Sequence, residues 1–468
     1  MSIAKILSDL TIHTQNEDIP ASSYKAAKKM MLDTFGCAFI GMKAPGIEPL
    51  LSLERELAAA GSGTVFFYGD KLALPSAAYC NAAMIHALDF DNNYPGADIH
   101  ILSIVLPAAF AYAEETSRNG QDVLGAIILG VEIASRIAKQ YCRLKKQHQY
   151  FLTTSLVGGW GGVAAAARML NLTVPETVNA FGIYYAQTCG NREALLEKKL
   201  TKRIQPAIAA RAALYSVLLA RKGFTGPEYT FEGQAGFFRL YTQDEPPNEN
   251  VFSGLGNPWG IEELTVKKFP TCGIHHANIL SAVYLKKKYG FAFADIAKVE
   301  FFLKEGGKTL VSLPFSISET PQIDAQFSAP YAIALALNKG AVEINDFSED
   351  AILKDQNTID LAARTHEIVH FEDMKLKHYQ ENESGYRYTK VFLKNGEILE
   401  HKHAGHDVYW KTTEEVEQKF KKCMTVHNDY YDNITIEKII DKMNNFETID
   451  NINDFIHEFC KSGAMITE

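Results

Sequence analysis

The chain has 468 residues, 47% hydrophobic and 22% charged, with 47 basic and 56 acidic side chains and a formal net charge of -9. That length exceeds what one hydrophobic core serves, so two domains are expected, and the composition is that of a globular protein in water. The acidic balance argues against nucleic acid as a partner, because phosphate binding needs a basic surface, but it leaves room for a local basic pocket that takes a small anion.

The seven cysteines (Cys37, Cys80, Cys142, Cys189, Cys272, Cys423 and Cys460) are scattered and form no CxxC pair. Neither a disulfide framework nor a zinc knuckle is expected, and a reducing compartment follows. The start, "MSIAKILSDLTIHTQNEDIP", has no long apolar stretch or cleavage site, so no signal peptide is expected. The most apolar window, "VLGAIILGVEIASRIA", carries Glu132 and Arg136 and is too short to span a bilayer. The expected location is the cytoplasm, with no membrane association.

From about residue 20 to 240 the pattern is helical. "SSYKAAKKMMLDTFGCAFIGM" opens on serine and has helical periodicity, and "LPSAAYCNAAMIHALDF" reads as a buried alanine-rich helix. "LSIVLPAAFAYAEET" follows, with Pro107 expected in a first turn or at a kink. After Asn119-Gly120 come "QDVLGAIILGVEIASRIAKQY", "SLVGGWGGVAAAARMLNL" and "IQPAIAARAALYSVLLARKGF". So many small residues let helices approach closely.

Past about residue 264 the character changes. "KVEFFLKEG" and "HEIVHFED" carry β-branched and aromatic residues in short runs, and "YTKVFLKNGEILEHKH" predicts a hairpin turning at Asn395-Gly396. "DAQFSAPYAIALALNKG" and "DAILKDQNTIDLAART" predict helices between them, giving a smaller α+β domain. The tail, "TTEEVEQKFKKC" to "INDFIHEFC", is helical again and is expected to fold back on the first domain.

The densest titratable stretch is "HALDFDNNYPGADIH", with three aspartates and two histidines between His86 and His100. On a continuing helix His86 and Asp89 would share a face. "NNYPG" must then be a loop that brings His100 back. A carboxylate and an imidazole at the two ends of a loop can hold an acid and a base around a substrate. The alternative is a capped helix end with satisfied polar groups. Metal binding is disfavoured, because the spacing matches no ligand motif.

"GGWGG" at 158–162 lacks the Lys-Ser/Thr ending and the preceding strand of a phosphate loop, so close helix packing is expected. "NREALLEKKLTKRIQP" packs Arg192, Lys198, Lys199, Lys202 and Arg203 into sixteen positions. Its ordinary reading is a solvated face, and its place before a buried helix allows one lysine to point inward. "VKKFPTCGIHHAN" offers Lys267, Lys268, His275 and His276 where the chain changes character. A Cys272 nucleophile is disfavoured for want of an orienting acid. "HKHAGH" at 401–406 reads as surface histidines beyond a hairpin, without the carboxylate or cysteine partners of a metal site.

Together, "NAAMIHALDFDN", "HILSIVLPAAFAYAE", "VGGWGGVAAAARMLNL", "GFTGP" with "FEGQAGF", "VKKFPTCGIHH" and "AQFSAPYAIALALNKG" resemble, in this order, the MmgE/PrpD family. That family includes 2-methylcitrate dehydratases, cis-aconitate decarboxylase and an iminodisuccinate epimerase. The resemblance runs over nearly the whole chain. It implies a mainly α fold: a large all-helical domain (1–264 with 408–468) and an inserted α+β lid (265–407). It also implies a homodimer and no metal or organic cofactor.

Carried over by position, the resemblance assigns Asp89, His100, Lys202, Lys267 and Tyr331 to catalysis, and Asn93, Arg203 and His276 to substrate binding. There are departures. Asn93 stands where decarboxylase-like members have threonine, Leu152 where they carry a second histidine, and Ile101 where proline usually follows His100. Gln205 and Ala207 replace the histidine and glycine that often follow the lysine. Leu152 cannot transfer a proton, which points to a changed substrate or reaction.

The named members make or break a bond to carbon beside a carboxylate, through an enediolate-like species. Such a species needs cations or donors aimed at its charge, for which Lys202 and Lys267 are candidates. It also needs a proton carrier of near-neutral pKa, which suits His100. Asp89 is expected to orient His100 or act as a base, and Tyr331 to donate a proton or hydrogen bond. The expectation is a cofactor-independent lyase acting on a small di- or tricarboxylic acid, either a citrate-type dehydratase or a decarboxylase. An isomerase or epimerase of a similar acid is the first alternative, and a non-catalytic carboxylate-binding protein is the second.

Overall fold

The computed structural model describes all residues except 58–59, 145–149, 244, 246, 248–251, 253, 304–309, 375–385, 428–429 and 461–468. Two compact units are formed. The larger is Met1–Glu193, Thr201–Val266 and Lys411–Glu468; the smaller is Ala194–Leu200 and Lys267–Trp410.

The larger unit is a helical assembly around one helix, Thr153–Met169, in which every residue but Arg168 is buried. Its glycines explain how neighbours come so near. A Cβ on Gly158 would lie 2.5 Å from Ile104 Cδ1, one on Gly161 would lie 2.4 Å from the Gly130 carbonyl, and one on Gly159 would lie 2.0 Å from the Tyr184 hydroxyl. "GGWGG" is therefore a packing device. The helices Leu102–Glu115, Gly120–Leu144, Val174–Tyr185 and Thr201–Arg221 surround it.

Local signals set the boundaries. Thr173 and Glu176 form a capping box at the start of Val174–Tyr185, and Thr412 and Glu415 form another at Thr413–Met424. Pro107 lies inside Leu102–Glu115, in its second turn, without ending the helix. The tail helices Thr413–Met424 and Asn433–Asn444 pack on Ala21–Gly41, and Ile452–Phe459 packs on Leu102–Glu115. One departure from an all-helical unit is a short antiparallel ribbon, Ala60–Thr64 with Lys71–Leu72. Glycines at 61 and 63 permit it, since a Cβ on Gly61 would meet the Leu72 carbonyl at 2.2 Å.

The smaller unit is α+β. Its four-stranded sheet runs Thr365–Glu367, Ile296–Phe302, Tyr386–Leu393, Ile398–Ala404, with the first pair parallel and the others antiparallel. The hairpin turns at Asn395-Gly396, where Gly396 adopts φ 89° and donates its N–H to the Leu393 carbonyl at 3.0 Å. Helices His276–Tyr289 and Ala329–Lys339 supply most of the apolar partners of this sheet. "HEIVHFED" is strand only over Thr365–Glu367; a 3₁₀ turn over Phe371–Met374 follows. Among the described residues no helix is long and apolar enough to cross a membrane.

Candidate active site

The helix Leu74–His86 is buried along nearly its whole length and ends on His86, whose side chain is 1% exposed. The chain then turns. Asp89 donates its N–H to the His86 carbonyl at 3.2 Å and takes up φ 52°, a left-handed conformation that aspartate tolerates better than most residues. The helix therefore stops before His86 and Asp89 can share one of its faces, and the expectation from spacing is corrected. The turn instead brings Asp91 beneath the imidazole, with Oδ2 3.0 Å from His86 Nδ1.

The next segment closes a small loop. Asn93 pairs with Thr265 through both backbone groups (2.9 and 2.8 Å), and Tyr94 bridges to Ile99. Asn93 and His100 flank that second bridge. His100 is held by its N–H, which donates to Thr154 Oγ1 at 3.1 Å at the start of the central helix. Its Nδ1 lies 3.2 Å from Asp91 Oδ1, an ion-pair distance outside hydrogen-bonding alignment. The two imidazole rings are 4.9 Å apart.

Lys202 completes the cluster. It is the second residue of Thr201–Arg221 and is buried. Its ammonium lies 2.9 Å from His86 Nε2 and forms an ion pair with Asp89. Of the lysines in the charged run it is the most deeply buried; Lys198 is partly buried and paired with Asp324, and Lys199 is exposed and paired with Glu319. Because an ammonium can only donate, His86 Nε2 must accept, and Nδ1–H donates to Asp91. One polar chain results: Lys202, His86, Asp91, His100.

The electrostatics follow from burial. Burial first, and the Lys202 charge second, push His86 down to about 4, against the pull of Asp91. Burial alone would raise the Asp91 carboxyl, but the His100 and His86 rings hold it well below the usual carboxylate range. With His86 neutral, Asp89, Asp91 and Lys202 carry one net negative charge, which a proton on His100 would neutralise. The His100 side chain is 12% exposed and those of His86 and Asp91 at most 1%, so His100 is the member through which a proton can leave or enter.

This predicts a pH dependence of stability. The native His86 pKa lies below the unfolded value near 6.5, so between the two the unfolded chain binds more protons and stability rises with pH. Acidification from pH 7 to 5 should cost the wild type about 2 kcal/mol more than a His86→Gln variant, from the shift to about 4. Denaturant unfolding of both proteins at the two pH values measures it. The comparison isolates His86 from His401 and His427, which burial also lowers.

The other expected site residues lie as follows. Asn93 is buried, and its side-chain oxygen has no partner among the described residues. Arg203, beside Lys202 in sequence, donates to the Pro45 carbonyl at 2.7 Å, and burial pushes it down to about 10. In the smaller unit Lys267 Nζ donates to the Thr271 carbonyl at 3.2 Å, and His276 Nε2 lies 3.3 Å from that oxygen. Tyr331 packs on Phe315 and Phe347 in that unit's core, its hydroxyl buried without a partner among the described residues. Leu152 occupies the position before the central helix and offers its N-terminus no side-chain cap.

The resemblance named Asp89, His100 and Lys202, which the structure brings together, and did not name His86 and Asp91, which lie among them. The signal for them was the spacing His86-x4-Asp91 inside "HALDFD".

His86, Asp91 and His100 each present one possible metal-ligating atom, all within 4.8 Å of one another. The set does not fit a cation well. A metal on His86 Nδ1 would leave Nε2 protonated and facing the Lys202 ammonium, donor against donor. The histidines of "HKHAGH" serve other ends: His401 Nδ1 lies 3.0 Å from Ser281 Oγ, and its ring packs on Tyr284.

Comparison with known proteins gives the family. Residues 5–250 match the MmgE/PrpD N-terminal domain and residues 269–445 the MmgE/PrpD C-terminal domain. A cis-aconitate decarboxylase of Aspergillus terreus (strain NIH 2624 / FGSC A1156) is 31% identical over 284 residues, so the chain spans 58% of that relative's length and 58% of its own. A further Aspergillus terreus protein of the same name is 29% identical over 365 residues, 74% of each chain. The cis-aconitate decarboxylase of Homo sapiens is 26% identical over 342 residues, 70% of this chain and 69% of its own.

Proposed function

The chain belongs to the MmgE/PrpD family, and from that premise we propose that it is a lyase that decarboxylates a small unsaturated tricarboxylic acid of the cis-aconitate type. The observation that carries the reading is the buried Lys202 ammonium set between a neutral imidazole and Asp89. The names of the relatives support the substrate class.

In the proposed reaction a carbon–carbon bond to one carboxylate breaks and carbon dioxide leaves. The electron pair stays on carbon and spreads into the neighbouring unsaturated carboxylate. Lys202 stabilises that developing charge, worth most where water is excluded. His100 delivers the proton that closes the step, and Asp91 holds its ring through Nδ1. Asn93, buried beside the loop, is kept as a candidate for substrate binding, for which its amide NH₂ is the group able to donate to a carboxylate. Lys267, His276 and Tyr331 are kept as candidates in the smaller unit, where Lys267 and His276 share the Thr271 carbonyl. We place the protein in the cytoplasm as a homodimer that uses no cofactor.

Incubation with cis-aconitate, citrate and 2-methylcitrate tests the reading. Carbon dioxide released from cis-aconitate supports it. Alkene formation from citrate or 2-methylcitrate without carbon dioxide would assign a dehydratase instead, and solvent exchange without net product an isomerase. A melting shift with neither turnover nor exchange would leave only binding.

Leu152 lies two residues before Thr154, the residue that holds His100. If the missing imidazole slows that decarboxylation, Leu152→His should raise carbon dioxide release from cis-aconitate by about 10²- to 10⁴-fold, the scale of one added proton-transfer group. An unchanged rate with a folded variant would place the difference elsewhere.

A further inference from the structure

The turn that carries Asp89 and Asp91 is held from behind by the C-terminal segment. Lys419, in the helix Thr413–Met424, is buried, and its ammonium lies 2.5 Å from Asp33 of Ala21–Gly41. The same ammonium donates to the Phe90 carbonyl at 2.8 Å and sits 3.5 Å from the centre of the Phe90 ring. Phe90 is the residue between the two aspartates. The next helical residue after Asp33 adds a second tie, Asn92 Nδ2 donating to Thr34 Oγ1 at 2.9 Å.

A buried ion pair is weak ground for stability, because desolvation of both charges offsets much of their attraction. Here the cation also does something an apolar pair could not. The Phe90 carbonyl belongs to a turn that has left its helix, and Lys419 supplies a donor to it. Fixing that carbonyl fixes the directions in which Asp89 and Asp91 leave the backbone, toward Lys202 and the two imidazoles. We infer that Lys419, paired with Asp33, is a positioning residue that sets the Asp89–Asp91 turn for the reaction. The inference rests on the reading that the Lys202–His86–Asp91–His100 cluster performs the chemistry.

The test uses the full chain and three proteins: wild type, Asp33→Asn, and the double variant Asp33→Asn/Lys419→Met. The double variant removes both buried charges, so no unpaired ion is left to unfold it. Two readouts are taken. One is kcat and KM on the acid that the wild type turns over. The other is site-resolved labelling of histidines by diethyl pyrocarbonate, which needs no substrate, with exposed His13 as internal reference. The double variant should lose about 100-fold in kcat with KM within about threefold, the scale of a misplaced catalytic group. Its buried His86 should label about tenfold faster relative to His13, as local opening of the loosened turn exposes the ring. Asp33→Asn, which keeps the ammonium on Phe90, should stay within about fivefold of wild type in kcat, since the carbonyl tie persists.

Unchanged His86 labelling in the double variant overturns the inference. Equal effects in Asp33→Asn alone overturn it too, since they would assign the change to loss of the ion pair. A wild type that turns over none of the acids would defeat the functional reading instead, and the labelling comparison would still decide the role of Lys419.

Discussion

Lys202→Ala should lower kcat by about 10²–10³-fold, the scale of removing one preorganised donor from a developing anion. The ammonium is buried with Asp89 and His86 as neighbours. A second consequence distinguishes lost chemistry from lost fold. Lys202 is, after burial, the largest of the causes that hold His86 low. Without its charge the imidazole should gain a proton more readily, and the acid limb of the pH–rate profile should move upward. The variant also leaves Asp89 without its cation, so some stability is lost. Circular dichroism and a melting curve should nonetheless show a folded protein at assay temperature. Unaltered kcat would remove Lys202 from the mechanism.

Asp91→Asn should cost about 10²–10⁴-fold in kcat, and His100→Ala about as much, the range for loss of a positioned proton carrier. Donors and acceptors set the role of Asp91. As a carboxylate it accepts from His86 Nδ1–H and faces His100 Nδ1 with a second oxygen. An amide offers one oxygen and one NH₂. If the oxygen keeps His86, the NH₂ faces His100 Nδ1 and forces the proton to the other ring nitrogen. The side chain would keep its shape and lose the charge that lets a protonated His100 exist beside it. KM should change little, and added imidazole should partly restore His100→Ala while leaving Asp91→Asn as it is. Restoration of both, or of neither, would contradict this division of roles.

The helices were legible because their signals are local. Alanine-rich runs and the punctuation at Asn119-Gly120 act within a few residues of where they sit, whereas the helix Val174–Tyr185 and its cap at Thr173 were not read from the sequence. The hairpin at Asn395-Gly396 was legible for the same reason. What escaped the sequence depends on a single backbone angle. At Asp89 the chain leaves the helix through a left-handed conformation, and this makes Asp91 the partner of His86. Aspartate only tolerates that conformation, so its presence gave no warning. The inward turn of Lys202 was legible as a possibility, from a charged run abutting a buried helix. Which lysine turned depended on His86 and Asp89, more than a hundred positions away in sequence. The short strand at Thr365–Glu367 illustrates the converse: apolar residues in "HEIVHFED" promised more strand than the parallel pairing with Val299–Phe301 takes up.

In the proposed reaction a buried ammonium and an imidazole stabilise and then protonate a carbanion formed when carbon dioxide leaves. Turnover of cis-aconitate in heavy water, with carbon dioxide and product deuterium measured together, tests it most directly. One solvent deuteron should be fixed on product carbon for each carbon dioxide released, with both lost in Lys202→Ala. Binding of the acid with no carbon dioxide and no deuterium uptake, or carbon dioxide release undiminished in Lys202→Ala, would contradict it.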